Sequence, residues 1–339
     1  MKKLHKNSKQ GFFWKKDIDI RTIILIVVLV ALAMFFGFVD KFFFTFKNID
    51  VMAILAPEMG LMGLGMALSL MLNGVNLSIN NGANLSALIS GLFLINIAPI
   101  FGGGNVVISI GITVIIAIGV GILCGLLNGF LIGYLKIQAI IATLATMIVF
   151  SGISEAITGG KSLTNFPHEL QVISTGAIGG IPIPFLIFLA MVIIVYIILE
   201  FTSLGFEIQM VGTNPIAAQF SGINVRLVIM ETYILSNVLG SLSGIIVMSF
   251  TNSVSYEYGT GTYILLALLI SVLAGVTPGF GSTLGVFLAT LIFEVLSSGF
   301  QMLLSGLNGS SFFTDFSWGI FFIGILIIVN LAQKVQNRT

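Results

Sequence analysis

Five asparagines fall within twelve residues, Asn73-Gly74-Val75-Asn76-Leu77-Ser78-Ile79-Asn80-Asn81-Gly82-Ala83-Asn84, between two apolar runs. Amides and hydroxyls are neither strong nucleophiles nor soft metal ligands, so their chemistry here is hydrogen bonding. In hydrocarbon an unpaired amide costs several kcal/mol, and the segment must therefore face protein, water or a cavity. Two readings satisfy that requirement: a broken segment lining a solute pathway through Asn73, Asn76, Ser78, Asn80 and Asn84, or a cytoplasmic turn of the kind Asn and Gly favour.

A second cluster, Gly212-Thr213-Asn214-Pro215-Ile216-Ala217-Ala218-Gln219-Phe220-Ser221-Gly222-Ile223, is punctuated as a short helix. Asn214 suits the N-cap, Pro215 the first helical position and Gly222 the C-terminal stop, which predicts about two turns. So short a helix is marginal alone and needs a surface to pack on. Ile216, Ala217, Ala218 and Phe220 would form a compact apolar face suited to a groove on another protein. The alternative, a helix lying on the membrane surface, lacks the Lys/Arg-rich polar face of such helices.

The remaining reactive types exclude chemistry more than they suggest it. Gly159-Gly160-Lys161-Ser162 resembles the end of a phosphate loop, but Glu155 stands where that pattern requires Gly. Cys124 is the sole cysteine and lies in an apolar run, so no internal disulfide or CxxC metal site is available. His5 and His168 both lie in loops outside the apolar runs, which leaves no catalytic constellation and no metal site within the membrane. Four carboxyls interrupt apolar runs. Glu58 and Glu155 read as near outer ends, Glu231 as a turn inside the inner boundary, and Glu294 alone as deep, where it either hydrogen-bonds between helices or couples to an ion.

The elements that position these residues follow from composition. With 57% hydrophobic and 8% charged residues and a mean hydropathy of +1.13, the solvent is a bilayer. Net charge of +1 gives no field for nucleic acid. Apolar stretches at 22–39, 51–72, 83–101, 106–134, 137–158, 183–200, 227–250, 262–276, 282–304 and 316–333 predict about ten crossings. Alternation from a cytoplasmic N-terminus puts Lys136, Arg226, Lys334 and Arg338 inside with the N-terminal cations, and Lys41, Lys47 and Lys161 outside. The expected architecture is all-α and polytopic, with broken or Gly-rich helices and both termini cytoplasmic. A basic arm spans 1–21, one transmembrane domain spans 22–333 with a cytoplasmic loop at about 201–226, and a tail spans 334–339. Gly121, Gly125, Gly129 and Gly133 repeat every four residues and predict one close helix–helix contact.

On these residues the chain resembles the permease subunits of ribose-type ABC importers. Asn73 to Asn80 stands where that family reads roughly GGIDLSVG, Leu127-Asn128-Gly129 and Ile137 to Leu144 match its NG and P-F-I-A-T-L runs, and Thr158-Gly159-Gly160 follows. Gly212-Thr213-Asn214-Pro215 through Ala217-Ala218 to Ser221-Gly222-Ile223-Asn224-Val225 resembles its GGN-x-x-AA-x-x-SGI loop. Departures are Asn76 in place of an Asp, the missing acidic residue in Gly261 to Leu268, and a thinned glycine motif at Ala274 to Gly281.

The resemblance implies a non-enzymatic transport subunit without a cofactor of its own. It further implies cytoplasmic ATPase subunits that consume ATP, a second permease copy or divergent paralogue, an extracytoplasmic solute-binding protein and membrane lipid as partners. Gly212, Asn214, Pro215, Ala217, Ala218, Phe220, Ser221 and Gly222 would then couple to the ATPase, and the Asn-rich segment would meet sugar hydroxyls. Competing readings are a permease for nucleosides or another small solute, a proton-coupled secondary transporter using Glu294, and a membrane scaffold without transport.

Overall fold

Inside hydrocarbon a backbone satisfies its own polar groups only as a helix or a closed barrel, so uncharged runs of membrane length become helices. A computed structural model describes residues 20–97 and 106–304, with seven further positions between 316 and 327. Twelve α-helices are described: α1 (Ile20–Val39), α2 (Phe46–Met71), α3 (Ile79–Leu92), α4 (Val106–Gly129), α5 (Ala139–Thr158), the single-turn α6 (Val172–Thr175), α7 (Ile183–Phe201), α8 (Ser203–Thr213), α9 (Pro215–Phe220), α10 (Val225–Thr251), α11 (Thr262–Leu273) and α12 (Thr283–Leu304). Among the described residues seven helices are long and apolar enough to cross a membrane: α1, α2, α4, α5, α7, α10 and α12. The chain is therefore all-α and polytopic.

Seven of the ten expected stretches form these helices among the described residues. The third stretch begins earlier than its hydropathy suggested, as the buried 14-residue α3, and runs on through a π turn at Phe93–Ile97. The eighth forms the 12-residue α11, short of a full span. The tenth, the basic arm and the tail lie outside the described residues apart from isolated positions. Two strand pairs of two residues each supplement the helices: β1 (Leu163–Thr164) pairs antiparallel with β4 (Ser253–Val254), and β2 (Ala177–Ile178) with β3 (Ile181–Pro182). Gly179 and Gly180, at φ of +63° and +85°, supply the tight turn between β2 and β3 that a residue with a Cβ disfavours.

Three helices form the centre. The most hydrophobic windows of α2, α10 and α12 are 72, 67 and 72% buried, against 28% or less for α1, α4, α5 and α7, which stand outside them. Serine hydroxyls stitch the inner helices: Ser243 donates to the Glu58 carbonyl at 2.9 Å, Ser271 to the Gly63 carbonyl at 2.9 Å, and Ser298 to Asn48 Oδ1 at 2.9 Å.

The glycine stripe does what its spacing predicts. Gly121 abuts Asn237 and Ser241, Gly125 abuts Tyr233 and Ile234, Gly129 abuts Met230, and Gly133 abuts Arg226. Three steps of four residues along α4 and the π turn after it thus match antiparallel steps of three to four residues along α10. A Cβ would stand 2.7 Å from the Tyr233 carbonyl oxygen at Gly125 and 2.5 Å from Met230 Cα at Gly129, so any side chain forces the backbones apart. Gly125→Val should lower stability by about 1–3 kcal/mol or more through overpacking. Gly119→Val on the same helix, where nothing lies within 4 Å, should stay within about 0.5 kcal/mol. Thermal unfolding in detergent reads the difference, and equal shifts would show that the stripe makes no critical contact.

Candidate functional site

The Asn-rich segment is a helix break held by buried hydrogen bonds. α2 ends at Met71 and α3 starts at Ile79. Asn73 occupies the left-handed region at φ +60° and is exposed. Beyond it Asn76 and Ser78 are both 0% exposed. Asn76 Nδ2 donates to Ser236 Oγ at 2.9 Å and Asn76 Oδ1 accepts from Ser78 Oγ at 2.9 Å. Ser78 Oγ accepts from Asn128 Nδ2 at 2.7 Å, and Asn128 Oδ1 accepts from Thr146 Oγ1 at 2.6 Å. One chain of donors and acceptors thereby joins α10, the break, α4 and α5, and Thr143 Oγ1 adds a bond to the Val75 carbonyl at 2.9 Å. Asn73 is thus an exposed turn residue, Asn76 and Ser78 lie in the buried break, and Asn80, Asn81 and Asn84 lie on α3. In this conformation Asn76 and Ser78 spend their polar groups on protein.

Further along α3, Asn80 and Asn84 clamp a different element. Asn80 Nδ2 donates to the Tyr258 carbonyl at 2.9 Å, and Asn84 Nδ2 to the carbonyls of Tyr258 at 2.9 Å and Tyr256 at 3.2 Å. The loop between α10 and α11 is thus drawn against the buried face of α3. Its Tyr258 hydroxyl lies 3.3 Å from that of Tyr263, and both phenols face the Glu58 carboxyl. Asn80 Oδ1 and Glu58 Oε1 are buried without a hydrogen-bond partner, which leaves acceptors free in this cluster, and Asn81 Oδ1 is likewise buried and unpartnered on α3.

Glu58 corrects a sequence expectation. Because α2 begins at Phe46 rather than near 51, Glu58 sits twelve residues in, about 18 Å along the helix axis rather than near its end. It is 8% exposed, follows Pro57, and is close enough to interact electrostatically with Glu294, itself 5% exposed. Glu294 is therefore one of two deep carboxyls. It also borders two open cavities of about 370 and 390 Å³ whose other walls carry Asp40, Asn48, Ser298 and Gln301 in the first and Asp50 and Phe185 in the second. Glu155 and Glu231 are exposed on α5 and α10. His168 opens a 3₁₀ turn at His168–Gln171, and Cys124 is a buried free thiol. Among the described residues no three His, Cys, Asp or Glu side chains gather as a metal site.

The second cluster folds as its punctuation predicts. Asn214 Oδ1 accepts from the amides of Ile216 at 3.1 Å and Ala217 at 3.0 Å, capping α9. The helix stops where Gly222 adopts φ +86°, with Ile223 N donating to the Ala218 carbonyl and Gly222 N to the Gln219 carbonyl, a Schellman closure. The expected apolar face is divided, however. Ala218 is 0% exposed and packs into its own chain, whereas Ile216 and Phe220 are 69% and 89% exposed and Ala217 is exposed beside them. Six residues give too little periodicity to show which alanine faces inward. Gly212 meets the Met71 carbonyl and the Gly279 backbone, and Gly279 N donates to Met71 O at 2.8 Å, so this loop is seated on the end of α2.

Reasoning from sequence missed Asn128, Thr146 and Ser236 as partners of the break, and Tyr258 and Tyr263 as partners of Glu58. A signal existed for Asn128: a lone amide in an apolar run must find an internal partner.

Residues 48–331 match the family described as branched-chain amino acid transport system / permease component. The chain is 28% identical over 292 residues to the ribose import permease protein of Haemophilus influenzae, covering 84% of this chain and 86% of that one. It is 33% identical over 282 residues to the ribose import permease protein of Bacillus subtilis, covering 81% of each. A third relative, the xylose/arabinose import permease protein of Sulfolobus acidocaldarius, is 27% identical over 316 residues, 93% of this chain and 86% of that one. No solved structure matches the chain.

Asn128→Leu removes the bonds to Ser78 and Thr146, whose hydroxyls keep only Asn76 Oδ1 and the Thr143 carbonyl, and should destabilise by about 1–3 kcal/mol. Asn73→Gly, at an exposed left-handed position, should change stability by less than about 0.5 kcal/mol. If both variants melt like the parent protein, the network does not hold the break.

Proposed function

The chain belongs to the permease-component family of branched-chain amino acid transport systems, and from that membership we propose that it is the membrane-spanning subunit of an ATP-binding-cassette importer that moves a monosaccharide. Support for a sugar comes from relatives named for ribose and for xylose or arabinose import, each aligned over more than four fifths of both chains. A soluble binding protein delivers the solute, two cytoplasmic ATPases supply the work, and a second permease, identical or paralogous, completes the route. The working orientation has about ten crossings with both termini cytoplasmic, on the grounds of the Lys/Arg asymmetry.

The observation that carries coupling is α9: a capped and closed helix that leaves Ile216 and Phe220 bare while Ala218 anchors it to its own subunit. A large apolar side chain held rigidly at 89% exposure fits a pocket on a partner. We assign the knob to Phe220, with the ATPase as its socket. Solute hydroxyls would meet the free acceptors of the Glu58 and Asn80 cluster and the Glu294 cavities, more than the already bonded Asn76 and Ser78. Such contacts must stay weak, since tight binding retards release.

One observation favours a second reading. Glu294 and Glu58 are both buried and within electrostatic reach of one another, which suits ion coupling. Uptake that persists without ATP, collapses with the proton gradient and is lost in Glu294→Gln would establish secondary transport instead.

Phe220→Glu should weaken association with the ATPase by about 2 kcal/mol or more, roughly thirtyfold, and abolish ATP-dependent uptake of ribose or xylose in proteoliposomes. Its melting temperature should match the parent because the position is exposed. Ala218→Glu should instead lower stability, since it forces a carboxyl into the subunit. Intact association in Phe220→Glu would remove α9 from the coupling role.

A further inference from the structure

Beside α9 an open groove of about 560 Å³ runs between the end of α4 and the start of α10, within the size range of small-molecule sites. Its walls mix two kinds of surface. Ile132, Ile229, Ile216 and Ile223 make it apolar, while Lys136 and Arg226 set two cations along it. Both cations are exposed, and among the described residues neither makes an ion pair. Arg226 is held in place, its guanidinium carbon 5.8 Å from the centre of the Tyr134 ring. Lys136 is presented by a backbone at φ +56°, a conformation that turns the chain sharply between the π turn at Phe130–Tyr134 and α5.

We propose that this groove binds the headgroup of an anionic phospholipid, with its acyl chains lying along the flank of α4 and α10. The surroundings fit that occupant. Phe130, Leu135 and Leu227 are 48%, 54% and 38% exposed at the ends of membrane-spanning helices, where acyl chains cover them. Cations at the end of such helices attract the phosphate, each contributing about a fivefold gain in affinity near an anionic surface. An acidic segment of the ATPase is a poorer fit, because Phe220, the residue assigned to that partner, does not line the groove. The two surfaces of α9 are then used separately: Phe220 toward the ATPase and the Pro215, Ile216 and Gln219 side toward lipid. Lipid occupancy would brace α9 against α10. The proposal rests on the importer reading only for naming this partner and the side of the membrane.

Binding is measured on the purified full-length permease without ATPase, in nanodiscs, by native mass spectrometry against dioleoylphosphatidylglycerol and dioleoylphosphatidylcholine. Retention of the phosphatidylglycerol, with little of the phosphatidylcholine, is expected. Lys136→Gln with Arg226→Gln should cut that preference about thirtyfold, while Lys136→Arg with Arg226→Lys should keep it. Should the double variant fail to fold, Lys136→Gln alone carries the test with a loss of about fivefold. Equal retention of both lipids, or a preference untouched by the substitutions, overturns the proposal. So does a double variant that loses the ATPase equally in pure phosphatidylcholine, which would assign the groove to that protein. The lipid readout involves no transport, so it stands or fails apart from the importer reading.

Discussion

Without water in the hydrocarbon core, each buried amide or hydroxyl must find its partner inside the protein, and the described helices are arranged around that demand. The hydrophobic effect does not draw one transmembrane helix to another, since lipid is as apolar as leucine. Close van der Waals contact and hydrogen bonds remain. Here they work at separate places on one helix. α10 meets α4 through backbone contact at Gly125 and Gly129, and meets α2 and α3 through Ser243 and Ser241, the latter 2.8 Å from Ser86. α10 is therefore the member on which the outer and inner helices are both registered.

The break between α2 and α3 is possible because of that registration. Its hydrogen-bonding residues come from four segments, and the bonds from Asn76 to Ser236 and from Asn128 to Ser78 form only when α4 and α10 are already at the right height. The glycine stripe fixes that height in steps of one helical turn. A slip of α4 by one turn would move Asn128 about 5.4 Å from its partners Ser78 and Thr146 and leave its buried amide unpaired. Packing and polar satisfaction thus select the same register, which is the consistency between levels that a well-specified fold requires.

Much of this was legible in the sequence where the cause is local. Four-residue glycine spacing predicts a helix contact whatever its partner, and Asn-Pro followed by Gly marks α9 because caps and stops act within a few residues. The Asn-rich segment was ambiguous because composition is the same for a surface turn and an internal break. The partners that decide it, Asn128 and Ser236, lie 50 and 160 residues from the residues they bind. Glu58 was misplaced for a different reason. Lys47 and Asp50 hid the first turn of α2 from a hydropathy reading, although charged residues are tolerated at a membrane boundary. The division of α9 into an anchored Ala218 and a bare Phe220 depends on the subunit surface beneath it, which six residues do not encode.

These contacts also join the proposed coupling element to the interior. α8 leads directly into Asn214, the cap of α9, and Gly212 in its last turn has no side chain to hold it off the Met71 carbonyl. That carbonyl accepts from Gly279 N, so the ends of α2 and α8 and the loop before α12 meet at one backbone junction. Beyond Met71 the chain turns at Asn73 and enters the buried break. A displacement of α9 by a partner therefore bears on α2 through backbone, where no rotamer can absorb it, and α2 carries Glu58 at its middle. Backbone contact at the junction and a hydrogen-bonded break beyond it give a continuous path by which movement at α9 reaches α2 and α3.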